Sequence, residues 1–254
     1  MRLIDTHCHI HDPGAFPDPE QTIRQALSAG VERIIVVGTG PEDWSMALEF
    51  AHGFDQVNAI VGWHPNYTAT YRGDLEDLRQ ALQNPKVLAL GEIGLDYHWD
   101  YSPPTLQKQA LNDQLDLATE LDTPVVFHAR EAYGDLLDIL EARAPHPYLF
   151  HCWAGNAEQA QRAVKLDAYF GVDGPITYKK ADDLRSVIAA LPRERIVLET
   201  DSPYMSPVPH RGKLNQPAYV DEVNKGLAAA LGVSEEDCAR LTTENAERFF
   251  WRNE

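Results

Sequence analysis

The residues of this sequence that could do chemistry are histidines and carboxylates, the types that bind metal ions. His7 and His9 lie two positions apart, so on a strand both imidazoles would point to the same face and could reach one metal ion. Taken alone, this spacing is equally typical of two histidines in a solvated loop. The further candidates along the chain are Glu92, His128, His151 and Asp201. Together the six residues predict a metal centre, in which a carboxylate such as Glu92 could bridge two ions.

Three of these candidates come directly after apolar residues that suit a buried strand. Glu92 would carry a charge at the end of such a strand, which is costly unless the charge is paired or bound to a cation. His128 follows three apolar residues at 125–127, and His151 follows three at 148–150. Because a lone histidine in such a place is more often a hydrogen-bonded core residue, the metal interpretation depends on the whole set.

Asp201 closes the last apolar run, since Pro203 prevents a simple continuation of a strand ladder. Glu199 stands two positions earlier and would face the same way. It is either a further ligand or, as we predict, a residue that orients a ligand or a water molecule. Cys8 and Cys152 flank ligands, but adjacent strand residues point to opposite faces. We therefore expect both cysteines to pack against helices rather than to attack a substrate.

Eight short apolar runs without polar alternation carry the candidate residues, as expected for parallel strands that are covered on both faces. The runs are Leu3–Thr6, Arg33–Gly38, Val57–Gly62, Val87–Ile93, Pro124–Phe127, Tyr148–Phe150, Ala168–Val172 and Ile196–Thr200. The candidates fall at the C-terminal ends of five runs. In a barrel these ends form one rim, whereas in an open doubly wound sheet they would lie along an edge. The sequence therefore predicts an α/β fold, a TIM-type (β/α)₈ barrel.

Helix signals between and after these runs support the same fold. They predict helices over Glu42–His52, Pro104–Leu121, Ala157–Leu166 and Pro217–Leu231, and a further helix start at Ser234–Asp237. A length of 254 residues is near the typical size of one barrel, so residues 1–254 are predicted to form a single domain.

Composition restricts the partners that the protein could bind. With 39 acidic and 22 basic residues the net charge is −17, so affinity for a polyanion cannot rest on a generally basic surface and must be local. The three cysteines are too few for a disulfide framework. Because no secretory signal or membrane-spanning apolar run is present, we expect a cytoplasmic protein with no membrane partner and no obligate protein partner.

Seven segments, taken together, resemble the TatD family of metal-dependent deoxyribonucleases, which are amidohydrolase-like TIM barrels. They are IDTHCH at 4–9, GWHP at 62–65, GEIGLDY at 91–97, FHAR at 127–130, HCWAG at 151–155, ETDSPY at 199–204 and RGKLNQP at 211–217. These segments run from the first strand to the last helices. A match this long and ordered is specific for the family, though not for one substrate within it.

The resemblance implies two divalent ions. One would be held by His7 and His9 and the other by His128 and His151, with Glu92 bridging them and Asp201 completing the site beside the attacking water. It implies Mg²⁺, whereas the mixed nitrogen and oxygen ligands themselves suit Zn²⁺, Mn²⁺ or Co²⁺.

The resemblance also implies that His64 contacts the substrate phosphate and that Arg211 and Lys213 lie close to phosphates. The residues alone are equally consistent with structural roles for His64 and Lys213. Trp153 and Ala154 depart from the usual family pattern, and so does the extra carboxylate in the segment at 171–174. These departures concern substrate preference rather than metal binding.

Two ions in such a site would activate a water molecule for attack on a phosphodiester. Our leading hypothesis is a 3′–5′ exonuclease acting on single-stranded DNA, because a barrel mouth accepts a strand end more easily than the interior of a duplex. Two alternatives stay open. One is hydrolysis of an ester or amide such as aminoacyl-tRNA, and the other is a non-catalytic barrel that binds metal for stability.

Overall fold

Eight parallel strands form one sheet in chain order, and the chain after the last strand returns to the first. The computed structural model describes residues 1–252. The strands are β1 (Leu3–Cys8), β2 (Val31–Gly38), β3 (Val57–Val61), β4 (Val87–Asp96), β5 (Val125–Arg130), β6 (Tyr148–Phe150), β7 (Tyr169–Val172) and β8 (Ile196–Leu198). A parallel bridge between Cys8 and Ser202 links β1 to the segment after β8. The sheet is thereby nearly closed, and the predicted TIM-type barrel is confirmed.

Nine α-helices within residues 1–252 surround the sheet. They are α1 (Pro19–Ser28), α2 (Pro41–Gly53), α3 (Glu76–Leu82), α4 (Pro104–Leu121), α5 (Tyr133–Glu141), α6 (Ala157–Lys165), α7 (Asp182–Ala189), α8 (Val220–Leu231) and α9 (Glu235–Phe250). Local chemistry explains several starts: Asn156 and Gln159 form a capping box on α6, and the Ser234 side chain caps α9. None of these helices is long and apolar enough to cross a membrane.

Apolar side chains fill the interior of the barrel. Ile35, Ile60 and Val126 belong to a buried cluster inside the sheet, and Phe249 and Phe250 of α9 pack against it. A larger cluster fills the layer between strands and helices. Because the interior is packed, the open C-terminal rim of the barrel, here called the mouth, is the place where polar side chains can gather.

Candidate metal centre

The Glu92 carboxylate lies at the centre of a ring of imidazoles at the mouth. Its Oε2 atom is 3.3 Å from His7 Nε2. Its Oε1 atom is 2.8 Å from His128 Nδ1 and 2.7 Å from His151 Nε2. The two oxygens of one buried carboxylate therefore face different histidines, which is the arrangement a bridging ligand requires.

Asp201 faces the histidines of β1. Its Oδ1 atom is 3.5 Å from His9 Nε2 and 3.9 Å from His7 Nε2. Within each of the groups His7–His9–Asp201 and His7–Glu92–His151, the donor atoms all lie within 4.8 Å of one another. The structure thus brings all six ligand candidates into one cluster at the mouth.

Irregular backbone turns these residues into the mouth. The pairing of β4 with β5 shifts register between Leu90 and Ile93, so Glu92 stands at a bulge. Asp201 adopts the left-handed region with a φ of 54°, and its N–H donates to His7 O at 2.9 Å. That hydrogen bond fixes the segment after β8 beside β1, where Asp201 meets the two histidines.

Hydrogen bonds on the outer side of two imidazoles determine which nitrogen faces the cluster. His9 Nδ1 lies 3.0 Å from Val37 O, which can only accept, so Nδ1 carries a proton and Nε2 is the nitrogen that faces Asp201. His128 Nε2 lies 3.0 Å from Asp96 Oδ2, which leaves Nδ1 towards Glu92. Such outer partners fix the ring and tautomer of metal-binding histidines.

His64 also faces Glu92, but its proton is placed differently. Its Nδ1 atom accepts a hydrogen bond from Asn66 N at 3.1 Å, so the neutral ring carries its proton on Nε2, 3.5 Å from Glu92 Oε1. Burial lowers the pKa of His64, which favours this neutral form. Although His64, Glu92 and His128 lie close enough to share an ion, a protonated Nε2 suits contact with a phosphate oxygen better than metal ligation.

An unpaired buried atom supplies a test of whether these residues fit a metal ion. Among residues 1–252, the Nε2 atom of His7, which faces Glu92 and Asp201, is buried without a hydrogen-bond partner. Such groups cost free energy unless something compensates them. The imidazole nitrogens and carboxylate oxygens of the cluster are ligands that divalent transition metals prefer. The residues therefore fit a metal centre.

The charges of the cluster are strongly coupled. Burial opposes the charge on Glu92, but the charged His151 ring and the hydrogen bond from His128 hold the Glu92 pKa well below its usual range. Burial would also lower the pKa of His151, yet the Glu92 carboxylate outweighs it and raises that pKa to about 10. Burial lowers the pKa of His7 to about 4. A divalent cation would replace the protons that hold these groups together.

Asp96 belongs to the site although no role was predicted for it. Its carboxylate holds His128 Nε2, as described above, and its own backbone is fixed by the side chain of Gln107 at 2.8 and 2.9 Å. The signal in the sequence was its spacing, because Asp96 stands four positions after Glu92, and alternate strand residues share a face.

The prediction that Cys152 packs against helices is wrong. Because β6 ends at Phe150, strand alternation does not extend to Cys152, which adopts a left-handed φ of 43°. Its thiol donates to Asp173 Oδ2 at 3.2 Å, beside the metal cluster. Cys8 lies in the core between strands and helices, as predicted.

Glu199 lies behind His151, on the side away from Glu92. Its Oε1 atom accepts the Cys152 N–H and lies 3.9 Å from His151 Nδ1. Burial raises the pKa of Glu199 to about 8. Gly171 is required here, since a Cβ at that position would collide with the Glu199 carboxylate. Glu199 therefore lies next to the outer nitrogen of His151, at a distance too long for a hydrogen bond.

The structure does not bring Arg211 or Lys213 into the cluster. The Arg211 guanidinium lies over the Tyr178 ring, 3.9 Å from its centroid. Within the described part of the chain, the side chains of Arg211 and Lys213 form no hydrogen bond or ion pair, and the same holds for Lys179 and Lys180. These four residues lie on the loops after β7 and β8. The two loops are here called the cationic loops.

Comparison with known proteins places this site in a family. A family model described as TatD related DNase matches residues 4–251. The chain is 37% identical over 251 residues to the uncharacterized metal-dependent hydrolase YabD of Bacillus subtilis (strain 168), with 98% of both chains covered. It is 35% identical to the TatD homolog YjjV of Escherichia coli K12, whose crystal structure matches with a TM-score of 0.92 and 98% of both chains covered. The TatD family hydrolase of Entamoeba histolytica, at 20% identity, shares the fold with a TM-score of 0.88, covering 99% of this chain and 98% of that one. With its candidate metal ligands at the mouth of the same barrel, the chain belongs to the TatD family and is a metal-dependent hydrolase.

Proposed function

We propose that this hydrolase is a nuclease that cleaves phosphodiester bonds of single-stranded DNA and removes nucleotides from the 3′ end. The proposal rests above all on Glu92, whose two oxygens face different histidines, as two adjacent ions sharing one carboxylate would require. Two-metal sites of this kind are typical of enzymes that hydrolyse phosphodiesters.

The donor groups can be assigned to two ions. One ion would be held by His7, His9 and Asp201 and the other by His128 and His151, with Glu92 shared between them. Divalent ions held by these residues would polarise the phosphoryl group and lower the pKa of water. Since the residues alone do not select the ion, Mg²⁺, Mn²⁺ and Zn²⁺ are the candidates to test.

Asp201 would accept a proton during the reaction, and His64 would contact the phosphate. Burial opposes the charge on Asp201, but the hydrogen bond with His9 and the nearby His151 and His7 rings lower its pKa, so the carboxylate is ionised and can accept a proton from the attacking water. The Nε2–H group of His64 can donate to a phosphate oxygen. Glu199 would help to orient His151 from the side of the ring that faces away from Glu92.

The shape and charge of the mouth support a single-stranded substrate. The side chains of His7 and Glu92 are 0% and 4% exposed, so a scissile phosphate must descend below the rim to reach them. A flexible strand end can do this, whereas the phosphates of a rigid duplex cannot. The cationic loops offer local positive charge in a chain of net charge −17.

One experiment tests the proposal directly. The protein is stripped of metal, reconstituted separately with Mg²⁺, Mn²⁺ or Zn²⁺, and assayed on 5′-labelled single strands, duplexes, aminoacyl esters and a simple phosphodiester. We expect metal-dependent shortening of the single strand, visible as a ladder of 5′-labelled products. Cleavage of the aminoacyl ester alone would indicate a deacylase instead. Metal binding with no turnover of any substrate would indicate a non-catalytic barrel.

A further inference from the structure

Two exposed aromatic side chains stack on each other at the mouth. The rings of Trp99 and Tyr101 have centroids 5.6 Å apart and an interplanar angle of 20°. They are 43% and 61% exposed, so neither belongs to the core. A cavity of about 290 Å³, lined in part by Trp99 and Pro104, opens beside them. A stacked pair of large rings held towards solvent is typical of a binding surface.

The loop that carries this pair is attached to the metal centre. Asp96 Oδ1 accepts the N–H groups of His98 at 2.9 Å and Trp99 at 3.2 Å. The Oδ2 atom of the same carboxylate contacts His128 Nε2 at 3.0 Å. One carboxylate therefore positions both a proposed metal ligand and the start of the aromatic pair, which keeps the two at a fixed spacing.

A cation accompanies the rings. The Arg130 guanidinium carbon lies 5.5 Å from the Trp99 ring centroid. Within residues 1–252 Arg130 forms no ion pair, whereas its neighbour Glu131 pairs with His98 at 2.7 Å. A guanidinium beside an exposed ring can meet a phosphate with two parallel hydrogen bonds.

We infer that Trp99 and Tyr101 form a stacking platform for a base of the bound single strand and that Arg130 contacts the phosphate next to that base. This inference rests on the proposed nuclease function and adds a subsite to it. Stacking on aromatic rings tolerates any sequence, because every base has a π face. The platform therefore suits an enzyme that shortens strands without reading them.

The platform and the cationic loops flank the metal centre from opposite sides. In the strand order of the barrel β4, which precedes the platform, lies across from β8, which precedes Arg211 and Lys213. A strand lying across the mouth would thus contact rings on one side and cations on the other. Its scissile phosphate would fall between them, above Glu92.

The test compares two substrates that differ only in their bases, a short deoxyadenylate strand and an abasic strand of the same length. In Mn²⁺-loaded protein, Trp99→Ala and Tyr101→Ala should each raise the KM and Kd for the deoxyadenylate about tenfold, since each stacked base contributes roughly 1–3 kcal/mol. Both constants for the abasic strand should stay unchanged. Trp99→Phe keeps a ring and should restore most of the affinity, and Met46→Ala, an exposed apolar change on α2, is the matched control.

The outcomes separate the platform from the nuclease function. Unchanged deoxyadenylate binding in the two alanine variants would overturn the platform, and so would an equal loss on both substrates, because that would show a displaced Asp96 loop. If wild type binds the strand but cleaves nothing, the proposed nuclease function is wrong. The ratio of the Kd of each variant to that of wild type then still tests the stacking platform. If wild type neither binds nor cleaves the strand, both fail.

Discussion

Glu92 contacts imidazoles from β1, from β5 and from the end of β6, so removal of its carboxylate would leave several ring nitrogens facing one another without the charge that holds them. We expect Glu92→Ala to lower kcat by more than the roughly 10- to 100-fold that is typical when a residue hydrogen-bonded to a metal ligand is substituted. The fold should persist, because Glu92 lies at the mouth rather than in the packed layers. The measurement is kcat with circular dichroism as the control, and near-wild-type turnover at equal metal content would contradict the bridging role.

Asp201 has a different proposed task and gives a different expected signature. Since an amide cannot accept the proton that the attacking water releases, Asp201→Asn should lower kcat by about 10²–10⁴-fold with a much smaller effect on KM. Steady-state kinetics at saturating metal would show this. A change confined to KM would instead make Asp201 a residue that positions the substrate.

At the residue scale, the sequence predicted the candidate metal ligands better than the residues that position them. Glu92 and Asp201 were predictable because a carboxylate at the end of an apolar run requires compensation. Asp96 had only its spacing from Glu92 as a signal and Cys152 had none, since the roles of both depend on irregular backbone. Asp96 meets His128 only because β4 runs past its bulge, and Cys152 turns inward only because of its left-handed backbone.

At the scale of elements, the strands were predictable because uninterrupted apolar runs leave few alternatives to parallel strands buried on both faces. The β4 strand is longer than the prediction, reaching Asp96 rather than Ile93. Gly94, with a φ of 145°, and the preceding bulge let it continue pairing with β5. The helices α1, α3, α5 and α7 were not assigned bounds. The last three have no side-chain N-cap that would mark their starts, whereas α1 is capped by the side chain of Asp18, a signal that was missed.

The contact between β7 and β8 yields a prediction at this scale. Because a Cβ on Gly171 would collide with the buried Glu199 carboxylate, Gly171→Ala should displace Glu199 and with it the support of His151. We expect the free energy of unfolding to fall by about 1–3 kcal/mol, as for overpacked cores, and metal affinity to fall as well. Urea unfolding of the metal-free protein and metal titration measure the two effects.

Gly134 supplies the matched control, since a Cβ at this α5 position meets no atom within 4 Å. Gly134→Ala should leave metal affinity unchanged and should raise stability by about 0.5–1 kcal/mol, as alanine does in helices. A Gly171→Ala protein that unfolds and binds metal like wild type would show that Glu199 has room to move.

Over the whole molecule, the distribution of cations matters more than their number. On the outer surface, cations such as Arg79, Arg162 and Arg240 pair with carboxylates. The cationic loops and Arg130, by contrast, form no ion pair within residues 1–252 and lie at the mouth. An acidic protein can in this way repel polyanions over most of its surface and still attract a phosphate to one place.

The expected salt dependence follows from this distribution. A single strand held by Z phosphate contacts gives a slope of about −0.7Z in log K against log salt concentration, so contact with only two or three phosphates at the mouth predicts a slope of about −1.4 to −2.1. Arg211→Ala should raise KM for a short single strand, because a forked guanidinium on Tyr178 would be lost, while the metal content stays unchanged. Arg240→Ala, which removes a paired arginine on α9, should change neither quantity. KM is measured across salt concentrations for the three proteins with metal kept saturating. A steep slope in wild type, or an unaltered KM in Arg211→Ala, would mean that the strand is held by a surface other than the mouth.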